Sequence, residues 1–187
     1  MRPEPSCICD LVQPVDHRTR VVIIQHGAER RHPFGTVKLA RVGLRNAEVF
    51  VSTRDDAGRN HCPPRELPGA ALLYPSPGAT RLDLMPEPPR TLVVLDGTWS
   101  TAAKLRRDNP WLQALPTVAL APAQPGRYRI RKAPRPAVQL STIEAIVAAL
   151  QTIEPENSRL GGLIEAFDRM IDRQIELKHE RYGPRPK

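Results

Sequence analysis

TLVVLDGTWSTAAKL, the stretch from Thr91 to Leu105, carries the clearest structural signal in this chain of 187 residues. Its first five residues are β-branched or aliphatic, and Pro88-Pro89 and Gly97 bound them, which is typical of a buried parallel strand. The strand ends on Asp96. The helical pattern that follows has one face made of Trp99, Ala102, Ala103 and Arg106. In open α/β sheets ligands bind beyond the carboxyl ends of the strands, where a carboxylate can act as a base.

The remaining sequence alternates strand and helix patterns. Apolar strand runs are Arg20–Gln25, Glu48–Val51, Ala70–Tyr74 and Thr117–Leu120. Helical patterns are Thr36–Arg45, the segment that opens at Leu140, and a final helix that reaches about Lys178. This alternation predicts an α/β fold with a mainly parallel sheet flanked by helices. The chain lacks both G-x-G-x-x-G and G-x-x-x-x-G-K-[ST], so a classical dinucleotide fold and a P-loop NTPase lose support.

Composition indicates a globular protein of one domain, with 40% apolar residues. No apolar run approaches the roughly 20 residues of a membrane helix, and the N-terminus has no apolar signal core. Three cysteines, an odd number, argue against a disulfide framework. We therefore expect a cytoplasmic protein without membrane contact, and we favour a monomer.

Basic residues are concentrated in the segment from Gly97 to Ile143. Against one acid, Asp108, it carries eight cations: Lys104, Arg106, Arg107, Arg127, Arg129, Arg131, Lys132 and Arg135. If residues 127–132 are extended, Arg127, Arg129 and Arg131 project from one side as a row of guanidiniums, which bind phosphates bidentately. A solvated basic face and a charged edge strand are the alternatives. The charge density favours contact with nucleic acid phosphates.

Two groups of residues contain potential metal ligands. His26, Glu29 and His32 are spaced three and three apart, which does not place them on one helical face, and Pro33 argues against a continuous helix. We predict a loop there. Cys7-Ile8-Cys9 supplies two thiolates where a structural zinc site needs four ligands, so we predict no metal. The polar segment Ser52–Pro68 is predicted to be a long surface loop.

Several ordered blocks resemble the DTW-domain family. Asp96-Gly97-Thr98-Trp99 matches its D-x-T-W signature. The other matching blocks are Arg2-Pro3 with Cys7-Ile8-Cys9, Gln25-His26 with Glu29 and His32-Pro33, Leu73-Tyr74-Pro75-Ser76, Tyr128–Lys132 with Pro134, and Leu140–Ala145. Together they extend over roughly residues 2 to 153.

The resemblance implies a tRNA-uridine aminocarboxypropyltransferase. Such enzymes transfer the 3-amino-3-carboxypropyl group of S-adenosylmethionine to N3 of a uridine, in bacterial members in the variable loop of tRNA, and release 5′-methylthioadenosine. It also implies a SPOUT-like fold with a C-terminal trefoil knot. Two alternatives remain open: a SPOUT-type RNA methyltransferase, and a non-catalytic RNA-binding module.

The resemblance also divides the chain. Family members commonly carry a C-x-x-C upstream of the C-x-C block, which this sequence lacks, so we expect no complete zinc site. Residues 1–18 are then a remnant of a cysteine-rich region, 19–180 a single catalytic domain and 181–187 a basic tail.

Specific residues receive roles from these arguments. Asp96 is the candidate base that takes the uridine N3 proton, with bracing of the following turn as the alternative. Trp99 is expected to pack inward and line the cofactor pocket, although an aromatic side chain can also stack on a base. Glu144, three residues after Ser141, is expected to complete a helix cap.

Two sets complete the predicted site. By resemblance, the pocket for S-adenosylmethionine is formed by Tyr74, Pro75, Ser76, Leu95, Gly97, Thr98, Trp99, Leu140, Ser141 and Thr142. The residues expected to hold tRNA phosphates are Arg127, Arg129, Arg131 and Lys132.

Overall fold

A six-stranded, fully parallel sheet forms the centre of the computed structural model, which describes residues 9–32, 35–64, 66–121 and 140–182. In spatial order its strands are β2 (Ala47–Val51), β1 (Arg20–Gln25), β7 (Thr91–Asp96), β5 (Ala70–Leu73), β8 (Thr117–Ala119) and β6 (Thr80–Arg81). The remaining two strands, β3 (Thr53–Arg54) and β4 (Asn60–His61), form an antiparallel hairpin. The predicted α/β class with a mainly parallel sheet is confirmed.

The two central strands are buried on both faces. In β1 and β7, side chains alternate between two separate apolar clusters, as the pleat of a strand requires. Val21, Ile23 and Leu92 face the larger cluster, and Val22 and Ile24 face the smaller one. Burial on both faces explains why these strands are continuous apolar runs in the sequence.

Helices cover both faces of the sheet. On the face of the larger cluster lie α1 (Val37–Gly43), α4 (Thr142–Ile153) and α5 (Gly161–Tyr182); on the other face lie α2 (Trp99–Asp108) and α3 (Pro110–Gln113). Pro110 is the first residue of α3, where its missing N–H costs no hydrogen bond. A side chain at Gly43 would overlap Leu163, so glycine allows α1 and α5 to approach closely.

The prediction that Ser52–Pro68 forms a long surface loop is wrong in part. The β3–β4 hairpin interrupts it, and Asn60 and Cys62 are buried against the end of α2. Asn109 accepts a hydrogen bond from the Cys62 N–H at 2.8 Å and donates one to the Asn60 carbonyl at 2.7 Å. Polar composition predicted exposure, but a buried asparagine side chain satisfies these backbone groups.

Residues before the first strand take part in the core. Val12 and Val15 are buried in the larger cluster. The carboxylate of Glu154, which follows α4 and is 2% exposed, accepts hydrogen bonds from the backbone N–H groups of Arg18 and Thr19. Burial would raise the pKa of Glu154, but these hydrogen bonds outweigh it and hold the pKa below its usual value of 4.5. Among the residues that the structure describes, no helix is both long and apolar enough to cross a bilayer.

Candidate active site at the carboxyl edge of the sheet

The chain path creates a crevice between the carboxyl ends of β1 and β7. From β1 the chain passes through α1 to β2 on one side, and from β7 it passes through α2 to β8 on the other. The helices of these connections lie on opposite faces of the sheet. Such a reversal is a topological switch point, where open α/β sheets bind ligands.

Asp96 is located at this switch point and is 6% exposed. Its carboxylate accepts a hydrogen bond from Gln25 Nε2 at 2.8 Å and another from the hydroxyl of Thr142 at 2.6 Å. Its carbonyl oxygen accepts from the N–H of His26 at 2.9 Å. The carboxylate is therefore held in a fixed orientation between the end of β1 and the first residue of α4.

The turn after Asp96 is tight. A side chain at Gly97 would overlap the hydroxyl oxygen of Thr101, so glycine is needed here by space. Thr98 caps α2, since its hydroxyl accepts from the Thr101 N–H at 3.2 Å. Thr98 therefore caps the helix that follows the turn, and the Asp96 carboxylate bonds to Gln25 and Thr142 on neighbouring elements.

Trp99 does not pack inward, and that prediction is wrong. It is 44% exposed at the first residue of α2. The buried side of α2 is formed by Ala102 and Leu105, and at about 100° per residue Trp99 lies roughly 90° from the centre of that side. The helical periodicity of the sequence was correct, but its phase was not. An exposed indole therefore stands at the carboxyl edge, three residues after Asp96.

The first turn of α4 is closed by the predicted capping box. The hydroxyl of Ser141 accepts from the Glu144 N–H, and the Glu144 carboxylate accepts from the Ser141 N–H at 2.8 Å. Glu144 is confirmed as a cap partner. The cap fixes Thr142 as the first helical residue, and its hydroxyl reaches Asp96.

His26 is a further candidate for the site, at a position where the sequence predicted only a loop. It follows Gln25 directly, is 8% exposed, and caps the 3₁₀ turn Gly27–Arg31 by accepting from the Ala28 N–H at Nδ1. A neutral ring that accepts at Nδ1 carries its proton on Nε2. Within the described residues Nε2 has no hydrogen-bond partner. The adjacent Gln25 signalled a strand end, but only the pairing of β1 with β7 places His26 beside Asp96.

Tyr74 and Arg106 meet beside the end of β5. The guanidinium carbon of Arg106 lies 5.3 Å from the centroid of the Tyr74 ring. Tyr74 follows β5 directly, and its N–H donates to the carbonyl of Val118 in β8 at 2.9 Å. Pro75 and Ser76 continue the same turn. The structure therefore brings all three predicted pocket segments, 74–76, 95–99 and 140–142, to one edge of the sheet.

The predicted phosphate contacts and part of the predicted cysteine block lie outside the residues that the structure describes. Arg127, Arg129, Arg131 and Lys132 lie outside the described residues, as does Cys7. Within the described residues, no three histidine, cysteine or acidic side chains come together as a metal site. Cys62 is 1% exposed, and its carbonyl oxygen accepts from the Trp111 indole.

A buried carboxylate at a switch point, with two helices beginning beside it, places this chain in the class of open α/β proteins, which bind ligands at the carboxyl edge of the sheet. Within that class, the chain belongs to the DTW-domain family, whose model matches residues 1–175. The resemblance of the sequence blocks to this family is confirmed.

Three curated relatives match 94% of this chain, and all are named tRNA-uridine aminocarboxypropyltransferase 2. The protein of Mus musculus is 29% identical over 188 residues, that of Drosophila melanogaster 31% over 184, and that of Macaca fascicularis 30% over 188. The chain spans 62% of the length of the mouse and macaque proteins and 73% of the fly protein. No solved structure is significantly similar to the chain.

Proposed function

We propose that this protein transfers the 3-amino-3-carboxypropyl group of S-adenosylmethionine to N3 of a uridine in the variable loop of tRNA. The observation that supports it most is the buried, oriented carboxylate of Asp96 at the switch point. The family and the names of the relatives supply the reaction class.

Asp96 takes the role of general base in this proposal. Uridine N3–H is a weak acid that must lose its proton before N3 can attack carbon. The proton passes to the Asp96 carboxylate, the bond between N3 and the propyl carbon forms, the carbon–sulfur bond breaks, and neutral 5′-methylthioadenosine leaves. The hydrogen bonds from Gln25 and Thr142 aim the carboxylate, which saves the entropy of orienting it.

Two further residues support the uridine. Negative charge that develops on the uracil ring spreads to its carbonyl oxygens, and the Nε2–H of His26 is a donor suited to one of them. The exposed indole of Trp99 offers a surface on which the base can stack. Both residues flank Asp96 in the sequence or in the sheet.

Three segments at the carboxyl edge are the proposed binding surface for the donor molecule. Tyr74, Pro75, Ser76, Leu95, Gly97, Thr98, Leu140, Ser141 and Thr142 belong to the three segments at the carboxyl edge. When bound, S-adenosylmethionine supplies the activated propyl carbon. We extend the proposal to a SPOUT-like chain path with a C-terminal knot.

The tRNA partner is proposed from charge and family together. Arg127, Arg129, Arg131 and Lys132 are the proposed phosphate contacts, in a protein with net charge +8. Reversing the charge of Arg129 and Arg131 should weaken tRNA binding and reduce its dependence on salt concentration. Binding that keeps the wild-type affinity and salt slope would contradict this assignment. We also propose a cytoplasmic protein that acts as a monomer.

Mass spectrometry of tRNA nucleosides after reaction with S-adenosylmethionine tests the function. We expect one uridine to gain an aminocarboxypropyl group, with release of 5′-methylthioadenosine. A methyl-sized gain with release of S-adenosylhomocysteine would indicate a methyltransferase instead. Binding of tRNA with no product and no affinity for S-adenosylmethionine would indicate an RNA-binding module.

A further inference from the structure

Arg106 has hydrogen-bonding capacity that the described part of the chain does not use. Its Nε is buried without a partner, and within the described residues its guanidinium makes no hydrogen bond or ion pair. Buried donors are nearly always hydrogen-bonded, because leaving one unpaired is costly. An unused, partly buried guanidinium is therefore a sign that an anionic group binds there.

The guanidinium is directed toward the candidate site. Side chains on a helix lean toward its N-terminus, and α2 begins at the carboxyl edge beside Asp96. Arg106 thus extends back toward that edge and over the ring of Tyr74, at 5.3 Å from the ring centroid. The backbone of Tyr74 is held by the hydrogen bond from its N–H to the carbonyl of Val118. A guanidinium held over an aromatic ring can present its fork of N–H groups to a planar anion.

Two anions in the proposed reaction have the right chemistry: the carboxylate of the donor and the phosphates of tRNA. Arginine binds both bidentately. Because Nε is buried, a carboxylate that enters the crevice is a more suitable partner than a tRNA phosphate that stays at the protein surface. Tyr74 also begins one of the three segments at the carboxyl edge that suit the donor.

We infer that Arg106, supported by Tyr74, binds the α-carboxylate of the aminocarboxypropyl group, an inference that rests on the proposed function. Anchoring this carboxylate fixes the propyl chain relative to the crevice and brings its reacting carbon, instead of the methyl group, into line with N3. Arg106 is on this account a specificity-determining residue.

Binding of two matched ligands by isothermal titration calorimetry tests the inference. S-Adenosylmethionine and decarboxylated S-adenosylmethionine differ only in the carboxylate. The variants are Arg106→Gln, which removes the charge and the fork, and Arg106→Lys, which keeps the charge alone. The matched control is Arg45→Gln, because Arg45 pairs with Asp16 on the surface beside the amino end of β2. Urea unfolding verifies that each variant is folded.

We expect Arg106→Gln to weaken binding of S-adenosylmethionine about 10- to 100-fold, as for loss of a hydrogen bond between charged groups, and to leave the decarboxylated ligand unaffected. Arg106→Lys should recover part of the loss, and Arg45→Gln should match the wild type. If Arg106→Gln binds both ligands equally more weakly, the inference is overturned. It is also overturned if the variant binds S-adenosylmethionine normally but loses affinity for tRNA, because Arg106 would then bind a phosphate. If the wild type binds no S-adenosylmethionine, the proposed function itself fails.

Discussion

Asp96 gives the sharpest test of the candidate site, because one substitution removes its basicity and can keep its hydrogen bonds with Gln25 and Thr142. In Asp96→Asn the amide oxygen can accept from Gln25, and the amide nitrogen can donate to Thr142, whose hydroxyl can turn and accept. Asp96→Ala leaves the buried amide of Gln25 without its partner. We therefore expect Asn to change the free energy of unfolding by no more than about 1 kcal/mol and Ala to lower it by about 1–3 kcal/mol.

The effect of Asp96→Asn on the rate of transfer should be large, in contrast to its small effect on stability. An asparagine cannot take the N3 proton, so we expect Asp96→Asn to lower the rate of transfer by about 10²- to 10⁴-fold, the usual contribution of a general base. Binding of S-adenosylmethionine should stay unchanged. Urea unfolding, calorimetric titration and single-turnover transfer with nucleoside mass spectrometry measure the three quantities on the same protein.

The matched control is Asp83→Asn, which removes an exposed carboxylate that pairs with Arg81. It should transfer at the wild-type rate. If Asp96→Asn transfers within about tenfold of the wild type, Asp96 is not the base. If it is as unstable as Asp96→Ala, the exchange of hydrogen bonds with Thr142 does not occur.

Three further substitutions separate structure from function. In His26→Asn the amide oxygen can still accept a hydrogen bond from the Ala28 N–H, but the side chain has no donor at the position of Nε2. The rate of transfer should therefore fall, while the unfolding free energy stays within about 1 kcal/mol of the wild type. A wild-type rate of transfer would exclude the donor role of His26. Trp99→Ala should raise the KM for tRNA by about 5- to 100-fold through lost stacking, with Phe partly restoring it, and should change stability by less than about 0.5 kcal/mol. A large loss of stability would show instead that the indole is structural. The pKa of Glu154 is lowered in the folded state, so its stabilisation is full above the unfolded pKa near 4.5 and is lost as pH falls through the folded value. Glu154→Gln should therefore be less stable than the wild type at neutral pH. Urea unfolding should show that this difference in unfolding free energy becomes smaller in acid. A difference that does not change with pH would contradict the stabilising hydrogen bonds from the N–H groups of Arg18 and Thr19 to the Glu154 carboxylate.

Much of the architecture follows from local sequence. The runs of aliphatic residues predicted β1 and β7, because strands buried on both faces need apolar side chains at every position. The capping box at Ser141 predicted the start of α4, because a cap involves residues only three apart. Asp96 was predicted to be a site residue because it is the last residue of its strand.

Contacts between distant residues required the tertiary structure. Gln25 and Thr142, which both donate to the Asp96 carboxylate, are 71 and 46 residues away from it in sequence, and no local pattern joins them. The exposure of Trp99 has the same origin, because periodicity gives the repeat of a helix but not the side that meets the sheet. Strand alternation and capping depend on neighbouring residues, so the sequence determined them. The setting of Asp96 depends on which strands become neighbours, and only packing of the whole sheet decided that.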